Sequence, residues 1–256
     1  MRIATGQFES IAGDVDANVS TALGAIAAAD GARILVMPEL FLTGYAMPPT
    51  VVDVDDPRLT ALDEAATVAG TLLLIGAAIP GLDCPTISIL AIGGGVRRVY
   101  DKQHLCGQEQ KYFAPGETGV VLQVDDWMVG LAICYDGCFP EHARVAADAG
   151  AEIYAAPIAY FEGSEHRRDV YYAARAVDNG IYAVTSGLAG ECAGVSFVGG
   201  SVVYDPQART VAAVAPGSYG VAVATIEKAQ IAQTRAAHPM HAERRDVSDV
   251  RVVHLT

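Results

Sequence analysis

Residues 129–156 read Val-Gly-Leu-Ala-Ile-Cys-Tyr-Asp-Gly-Cys-Phe-Pro-Glu-His-Ala-Arg-Val-Ala-Ala-Asp-Ala-Gly-Ala-Glu-Ile-Tyr-Ala-Ala. Val129–Ile133 is an apolar run of strand length, and a strand buried on both faces reads as such a run rather than as an alternation. Pro140 suits a first helical position, Glu141 complements the helix dipole, and Gly150 follows the end, so a helix is predicted over Pro140–Ala149. Glu152–Ala156 is a second apolar run. Strand, helix and strand in succession mark a layered α/β protein.

The same alternation extends outward in both directions. Towards the N-terminus, strands are predicted at Ile3–Phe8, Ile34–Met37, Leu72–Ile79, Ile87–Ile92 and Val96–Tyr100, with helices at Asp16–Ala29 and Arg58–Ala69. Towards the C-terminus, strands are predicted at Ile181–Thr185, Ser201–Tyr204, Thr210–Val214 and Gly220–Thr225, with helices at Glu165–Asn179 and Glu227–Ala237. Ser164 stands where an N-cap is expected and Asn179-Gly180 where that helix should stop. Gly93-Gly94-Gly95 reads as a hairpin turn. Neither a linker nor a fixed-period repeat interrupts the chain. One domain is therefore expected over residues 1–256, with a tail over about 238–256.

Composition narrows the class. Of 256 residues 52% are hydrophobic and a further 26 are Gly, about 10% of the chain, so apolar content exceeds the roughly 45–50% of an ordinary soluble protein. A disordered chain is excluded. The formal charge of −13, from 17 basic and 30 acidic residues, argues against nucleic acid and anionic membrane surfaces as partners. Mean hydropathy is +0.28, yet the longest apolar stretch, Leu72 to Leu82, is too short to span a bilayer. The opening Met-Arg-Ile-Ala-Thr-Gly-Gln-Phe is unlike a secretion signal, and the five cysteines are odd in number. A reducing cytoplasm is the expected location.

Three reactive side chains follow three predicted strands. Ile34–Met37 runs into Pro38-Glu39, Val96–Tyr100 into Asp101-Lys102, and Val129–Ile133 into Cys134. Ligands of open α/β sheets bind beyond the carboxyl ends of the strands, so these ends can share one pocket. A carboxylate, an amine and a thiol suffice for nucleophilic attack on an acyl carbon. Lys102 is expected to lower the Cys134 thiol pKa and to hold the oxyanion, with Glu39 shuttling the proton.

The local sequences sharpen this. Met37-Pro38-Glu39-Leu40-Phe41, Tyr100-Asp101-Lys102-Gln103-His104-Leu105 and Cys134-Tyr135-Asp136-Gly137-Cys138-Phe139-Pro140-Glu141 resemble the three signature segments of the nitrilase superfamily, the carbon–nitrogen hydrolases. Phe113-Ala114-Pro115-Gly116, Arg175–Asn179 with Tyr182, and Gly200-Ser201 with Asp205-Pro206 extend the similarity from Ile3 to about Thr225. The resemblance implies a four-layer α-β-β-α sandwich whose subunits pair into an extended α-β-β-α-α-β-β-α dimer. It also implies a catalytic set of Glu39, Lys102 and Cys134, with Glu109 as a second glutamate and the Tyr135 backbone N–H in the oxyanion hole. No metal or organic cofactor is implied.

The expected reaction is hydrolysis of a small linear amide, aliphatic or ω-amide, through a cysteine thioester. N-carbamoyl amines or amino acids are the alternative substrates. Nitriles fit less well, because Tyr135-Asp136 follows Cys134 where nitrilases tend to carry Trp-Glu. A catalytically silent scaffold on the same fold is the reading from a different class.

Cys134, Cys138 and His142 recur every four residues, but the first precedes the helix and zinc normally needs four ligands, so a metal site is not expected. Asp136, Glu141, Arg175 and Asn179 are read as structural, and Tyr45, Tyr160 and Phe161 as candidate pocket walls. Thr185-Ser186-Gly187 and Ala208 depart from the family pattern, in which an Asn often follows the strand and a Gly ends the Asp-Pro turn. Arg244-Arg245-Asp246 in the tail is assigned no role beyond a subunit contact.

Overall fold

A computed structural model of the chain describes residues 1–245 and 251–254; Asp246 lies outside them. The N-terminal half runs β1 (Arg2–Gln7), α1 (Val15–Ala28), β2 (Ile34–Val36), α2 (Thr60–Ala69), β3 (Leu72–Ile79), β4 (Thr86–Ile92) and β5 (Val96–Asp101). Next come β6 (Val121–Val124), β7 (Trp127–Leu131), α3 (Pro140–Asp148), β8 (Ile153–Ile158), α4 (Glu165–Asn179) and β9 (Tyr182–Gly187). The remainder is β10 (Ala189–Cys192), β11 (Val195–Val198), β12 (Val202–Tyr204), β13 (Thr210–Ala213), β14 (Gly220–Thr225) and α5 (Lys228–Ala237).

Two six-stranded sheets result, in the orders β14-β1-β2-β3-β4-β5 and β13-β12-β9-β8-β7-β6. Each has three parallel strands at its centre, β1-β2-β3 and β7-β8-β9, with antiparallel neighbours outside them. Parallel neighbours need a crossover, and α1 to α4 supply it.

Strand side chains alternate in direction, so each central strand feeds two cores. On β3, Leu73, Ile75 and Ala77 meet the apolar stripes of α1 and α2, with Val19, Ala22 and Leu62 among them. Leu74 and Ala78, one step out of phase, face Val129, Leu131 and Ala155 of the opposite sheet. On β8, Tyr154 and Ala156 point away from that inner core and pack against Ala143 of α3 and Tyr172 of α4. Three cores between four layers make the α-β-β-α sandwich. Hydrogen bonds also stitch the sheets: Thr5 Oγ1 donates to the Thr185 carbonyl at 2.5 Å, and Ser186 and Ser201 donate to that of Gly6 at 2.5 and 2.8 Å. The departures noted at Thr185 and Ser186 thus lie on the seam between the sheets.

Predicted and observed bounds of the shared elements agree within two residues. Strands β6, β10 and β11 were not anticipated. The β10–β11 hairpin turns through Ala193-Gly194, both at positive φ (51° and 77°), where Asn or Asp would have signalled the turn. Ser164 occupies the N-cap position of α4 without capping it; its hydroxyl donates instead to the Phe161 carbonyl. In the tail, Arg244 forms a two-pronged ion pair with Asp148 of its own chain, at 2.6 and 3.0 Å.

Ala208 closes the turn after Asp205-Pro206 at φ 63°, a left-handed conformation that a Cβ disfavours. Ala208→Gly should stabilise the protein by about 1 kcal/mol, less what the unfolded chain gains in freedom. Chemical denaturation should show a higher midpoint at unchanged slope.

Candidate active site

The four predicted side chains converge, and each is fixed by a particular backbone device. Beyond β2 the chain stays on β3: Met37 N–H donates to the Leu74 carbonyl at 2.8 Å, Gly76 N–H to that of Pro38 at 3.1 Å, and Leu42 N–H to that of Gly76 at 3.0 Å. That approach requires glycine, since a Cβ on Gly76 would lie 2.5 Å from the Leu40 nitrogen and the Pro38 oxygen. With Leu40 at φ 51°, the Glu39 side chain ends fully buried.

Lys102 leaves β5 with its N–H bonded to the Ile87 carbonyl and its carbonyl accepting from Gly116, both at 2.8 Å. Glu109 sits in a short 3-10 turn, Gly107–Lys111, where its Oε2 accepts from the Cys106 N–H at 2.8 Å.

Cys134 opens another 3-10 turn, Cys134–Cys138, at φ 40°. Such a conformation costs a non-glycine residue on the order of 1–3 kcal/mol and persists only where neighbours enforce it. Asp136 is one enforcer: it accepts from the Ile133 N–H at 3.0 Å, the Tyr100 hydroxyl at 2.7 Å and the His104 N–H at 2.8 Å. Tyr172 is another, donating its hydroxyl to the Cys134 carbonyl at 2.6 Å while its ring lies against Gly137. The turn also leaves the Tyr135 N–H at the start of a helix, where no carbonyl precedes it within the helix. Asp136 is structural, as expected. His142, bonded to Tyr100 and Tyr154 at 2.9 Å each, belongs to the same scaffold.

At the centre, Lys102 Nζ donates to Glu39 Oε1 at 2.6 Å and to both oxygens of Glu109 at 2.8 Å. Tyr45 donates its hydroxyl to Glu109 Oε1 at 2.6 Å. Glu39 Oε2 is buried without a hydrogen-bond partner. The Cys134 thiol points toward the Ala159 carbonyl, 3.7 Å away.

Charges in this buried site are strongly perturbed. Burial lifts the Glu39 carboxyl to about 7 against the opposing pull of Lys102. Burial works against the Lys102 ammonium, but Glu39 and Glu109 overcome it and hold the group charged. The Cys134 thiol is raised well above its usual value, first by burial and then by Glu39. This reverses the expectation that Lys102 would lower it: the lysine does pull in that direction, and it is outweighed.

Cys134, Lys102 and Glu109 open onto a cavity of about 640 Å3. Tyr45, Tyr160 and Phe161 line it, as the sequence proposed, and Tyr135 borders it. Sequence reasoning missed the Tyr45 bond to Glu109 and the part of Gly76, because neither lies in a local pattern that names its partner. It also missed Arg167 and Tyr171 of α4, which line the same cavity.

Residues 2–236 match the carbon–nitrogen hydrolase family. The chain belongs to that family. It is accordingly a hydrolase of carbon–nitrogen bonds. An (R)-stereoselective amidase from Pseudomonas sp. is 31% identical over 82% of this chain and 80% of its own. Human omega-amidase is 29% identical over 97% and 95%. An amidase from Nesterenkonia sp. superposes with a TM-score of 0.80 at 30% identity, over 93% of this chain and 94% of its own. A variant of that amidase carries acrylamide added at its active-site cysteine, and another holds butyramide.

Replacing Gly76 with Ala should push the Pro38–Leu40 segment off β3. Activity should fall at least tenfold, accompanied by about 1–3 kcal/mol of destabilisation. Steady-state kinetics and a denaturant melt on the same preparation would measure both.

Proposed function

We propose that the protein is a cysteine-dependent amidohydrolase of small linear amides in which Glu39, Lys102, Cys134 and Glu109 carry the reaction. One observation carries this reading: a thiol on a strained turn shares a cavity with an ammonium clamped between two carboxylates. The similarity to amidases, one of them modified at its active-site cysteine, supports it.

The Cys134 thiol gives its proton to Glu39 as its sulfur attacks the amide carbon. Lys102 and the Tyr135 N–H hold the oxyanion. When the tetrahedral intermediate collapses, Glu39 returns the proton to the departing nitrogen, ammonia leaves, and a thioester remains on Cys134. Water, deprotonated by Glu39, then attacks the thioester; the carboxylic acid departs and the thiol is restored. Glu109 positions Lys102, and Tyr45 positions Glu109. A carboxyl near 7 is suited to accept and return a proton at neutral pH.

N-carbamoyl compounds would use the same steps. No helix among the described residues is long and apolar enough to cross a membrane, which fits a small dissolved substrate. We further propose that two copies pair across the outer face of α3 and α4, where Val145, Val170 and Val177 are exposed; sedimentation should report a dimer.

Cys134→Ala should lower amide hydrolysis by at least a thousandfold while the protein remains folded, measured as ammonia release from butyramide. A variant retaining more than a few per cent of activity removes Cys134 from the mechanism. Because attack needs ionised Glu39, kcat/KM should decline about tenfold per pH unit below about 7, and a profile flat from pH 5 to 8 contradicts the assignment.

A further inference from the structure

The floor and the wall of the active-site cavity differ in charge. At the floor one ammonium faces two carboxylates, so an anionic group entering there is repelled. The wall formed by α4 is different. Arg167 and, one helical turn on, Tyr171 both line the cavity. Among the described residues, neither the Arg167 guanidinium nor the Tyr171 hydroxyl has a hydrogen-bond or ion-pair partner within the protein; Arg167 is exposed, so both are free to donate to a ligand in the cavity. The adjacent Arg168 differs: it pairs with Asp169 at 2.8 Å and donates to the Val198 and Gly199 carbonyls at 3.3 and 3.0 Å.

Helix stability does not account for Arg167. His166, Arg167 and Arg168 stand in the first turn of α4, where the helix dipole favours acidic residues. The charge of Arg167 is also felt across the cavity lining: burial raises the thiol of Cys106, an exposed lining residue, and Arg167 is among the groups that pull it back.

We propose that Arg167 and Tyr171 bind a carboxylate at the far end of the substrate, so that the enzyme selects ω-amides, the monoamides of short dicarboxylic acids. Such a substrate places its amide carbon at Cys134, among groups that want a neutral carbonyl, and its carboxylate on the wall. A cavity of about 640 Å3 is on the order of 10 Å across, which suits a short dicarboxylic chain extended between the two ends. The guanidinium fork matches a carboxylate and the phenol adds a third donor. This selectivity rests on the amidohydrolase reading above.

The test compares kcat/KM for succinamate and glutaramate with that for butyramide and valeramide. The expected ratio in favour of the anionic amides is at least tenfold, carried by KM and shrinking as sodium chloride is added, because the guanidinium is exposed to solvent. Arg167→Leu should reduce that ratio at least tenfold, Arg167→Lys should restore part of it, and Tyr171→Phe should reduce it less. Neutral and anionic amides turned over within twofold of one another by the unaltered enzyme, or a ratio unmoved by Arg167→Leu, would overturn the proposal. Butyramide hydrolysis with no anionic preference defeats this inference alone. Folded protein that turns over no amide and forms no acyl-Cys134, by intact mass, defeats the reading beneath it.

Discussion

Lys102 donates to two carboxylates at a site buried from bulk solvent, and much of the structure exists to make that arrangement tolerable. Moving an ammonium and a carboxylate out of water costs several kcal/mol per ion, recovered only when geometry is tight and the remaining polar atoms are satisfied. Here the geometry is tight, with contacts of 2.6 to 2.8 Å, and Glu109 is fully engaged through Lys102, Tyr45 and the Cys106 N–H. Glu39 is not. One of its oxygens is buried and unpaired, and its carboxyl rises to about 7 from an ordinary 4.5. A group raised in the folded state contributes stability that is complete below its unfolded value and lost as pH rises through the folded one. Glu39 therefore costs stability in its ionised form. The asymmetry between the glutamates matches the different work proposed for them: the satisfied one to hold the lysine, and the unsatisfied one to exchange protons.

That cost has to be borne by rigid surroundings. The three segments delivering Glu39, Lys102 and Cys134 each continue a strand, yet none ends in a free loop. The Glu39 segment is bonded along β3 beside Gly76, the Lys102 segment between Ile87 and Gly116, and the Cys134 turn by Asp136 and Tyr172. Asp136 links two of these, since it binds the Cys134 turn on one side and Tyr100 and His104 of the Lys102 segment on the other. Distances at the centre thus follow from backbone contacts formed elsewhere. A methyl group added at position 76 is for that reason a perturbation of the active site.

Much of this was legible in the sequence, for a physical reason. Central strands buried on both faces must be apolar throughout, so Glu39 and Cys134, just beyond such runs, stood out; Lys102 follows β5, an edge strand that carries Arg97 and Arg98, and the resemblance of its segment to the nitrilase superfamily marked it instead. The helices carried their punctuation in Pro140, Gly150 and Gly180. The β10–β11 hairpin was not legible, because Ala193 takes a conformation that its chemistry does not advertise. Ser164 looked like a cap and bonds elsewhere, since a hydroxyl has several backbone partners within reach. Contacts such as Tyr45 with Glu109, 64 residues apart, depend on how loops pack over the sheet ends, and no periodicity records that.

The direction of the Cys134 shift shows where sequence logic gives way. Proximity to Lys102 predicts an acidic thiol, but proximity is only one of the influences, and burial, which no sequence states, is the larger. A thiol kept protonated at rest does not need a standing thiolate; it needs a base able to take the proton during attack, and Glu39 suits the role proposed for it because the same burial raised both groups. Burial would also make the Lys102 charge more effective toward the developing oxyanion of the proposed reaction than it would be in water. One physical condition, burial of the cavity floor, thereby shifts together the three groups proposed as nucleophile, base and electrophile. The unpaired Arg167 lies beyond that zone, at an exposed position where its charge remains solvated until a ligand arrives. Chemistry and selectivity are thus assigned to two parts of one cavity that differ in their access to water.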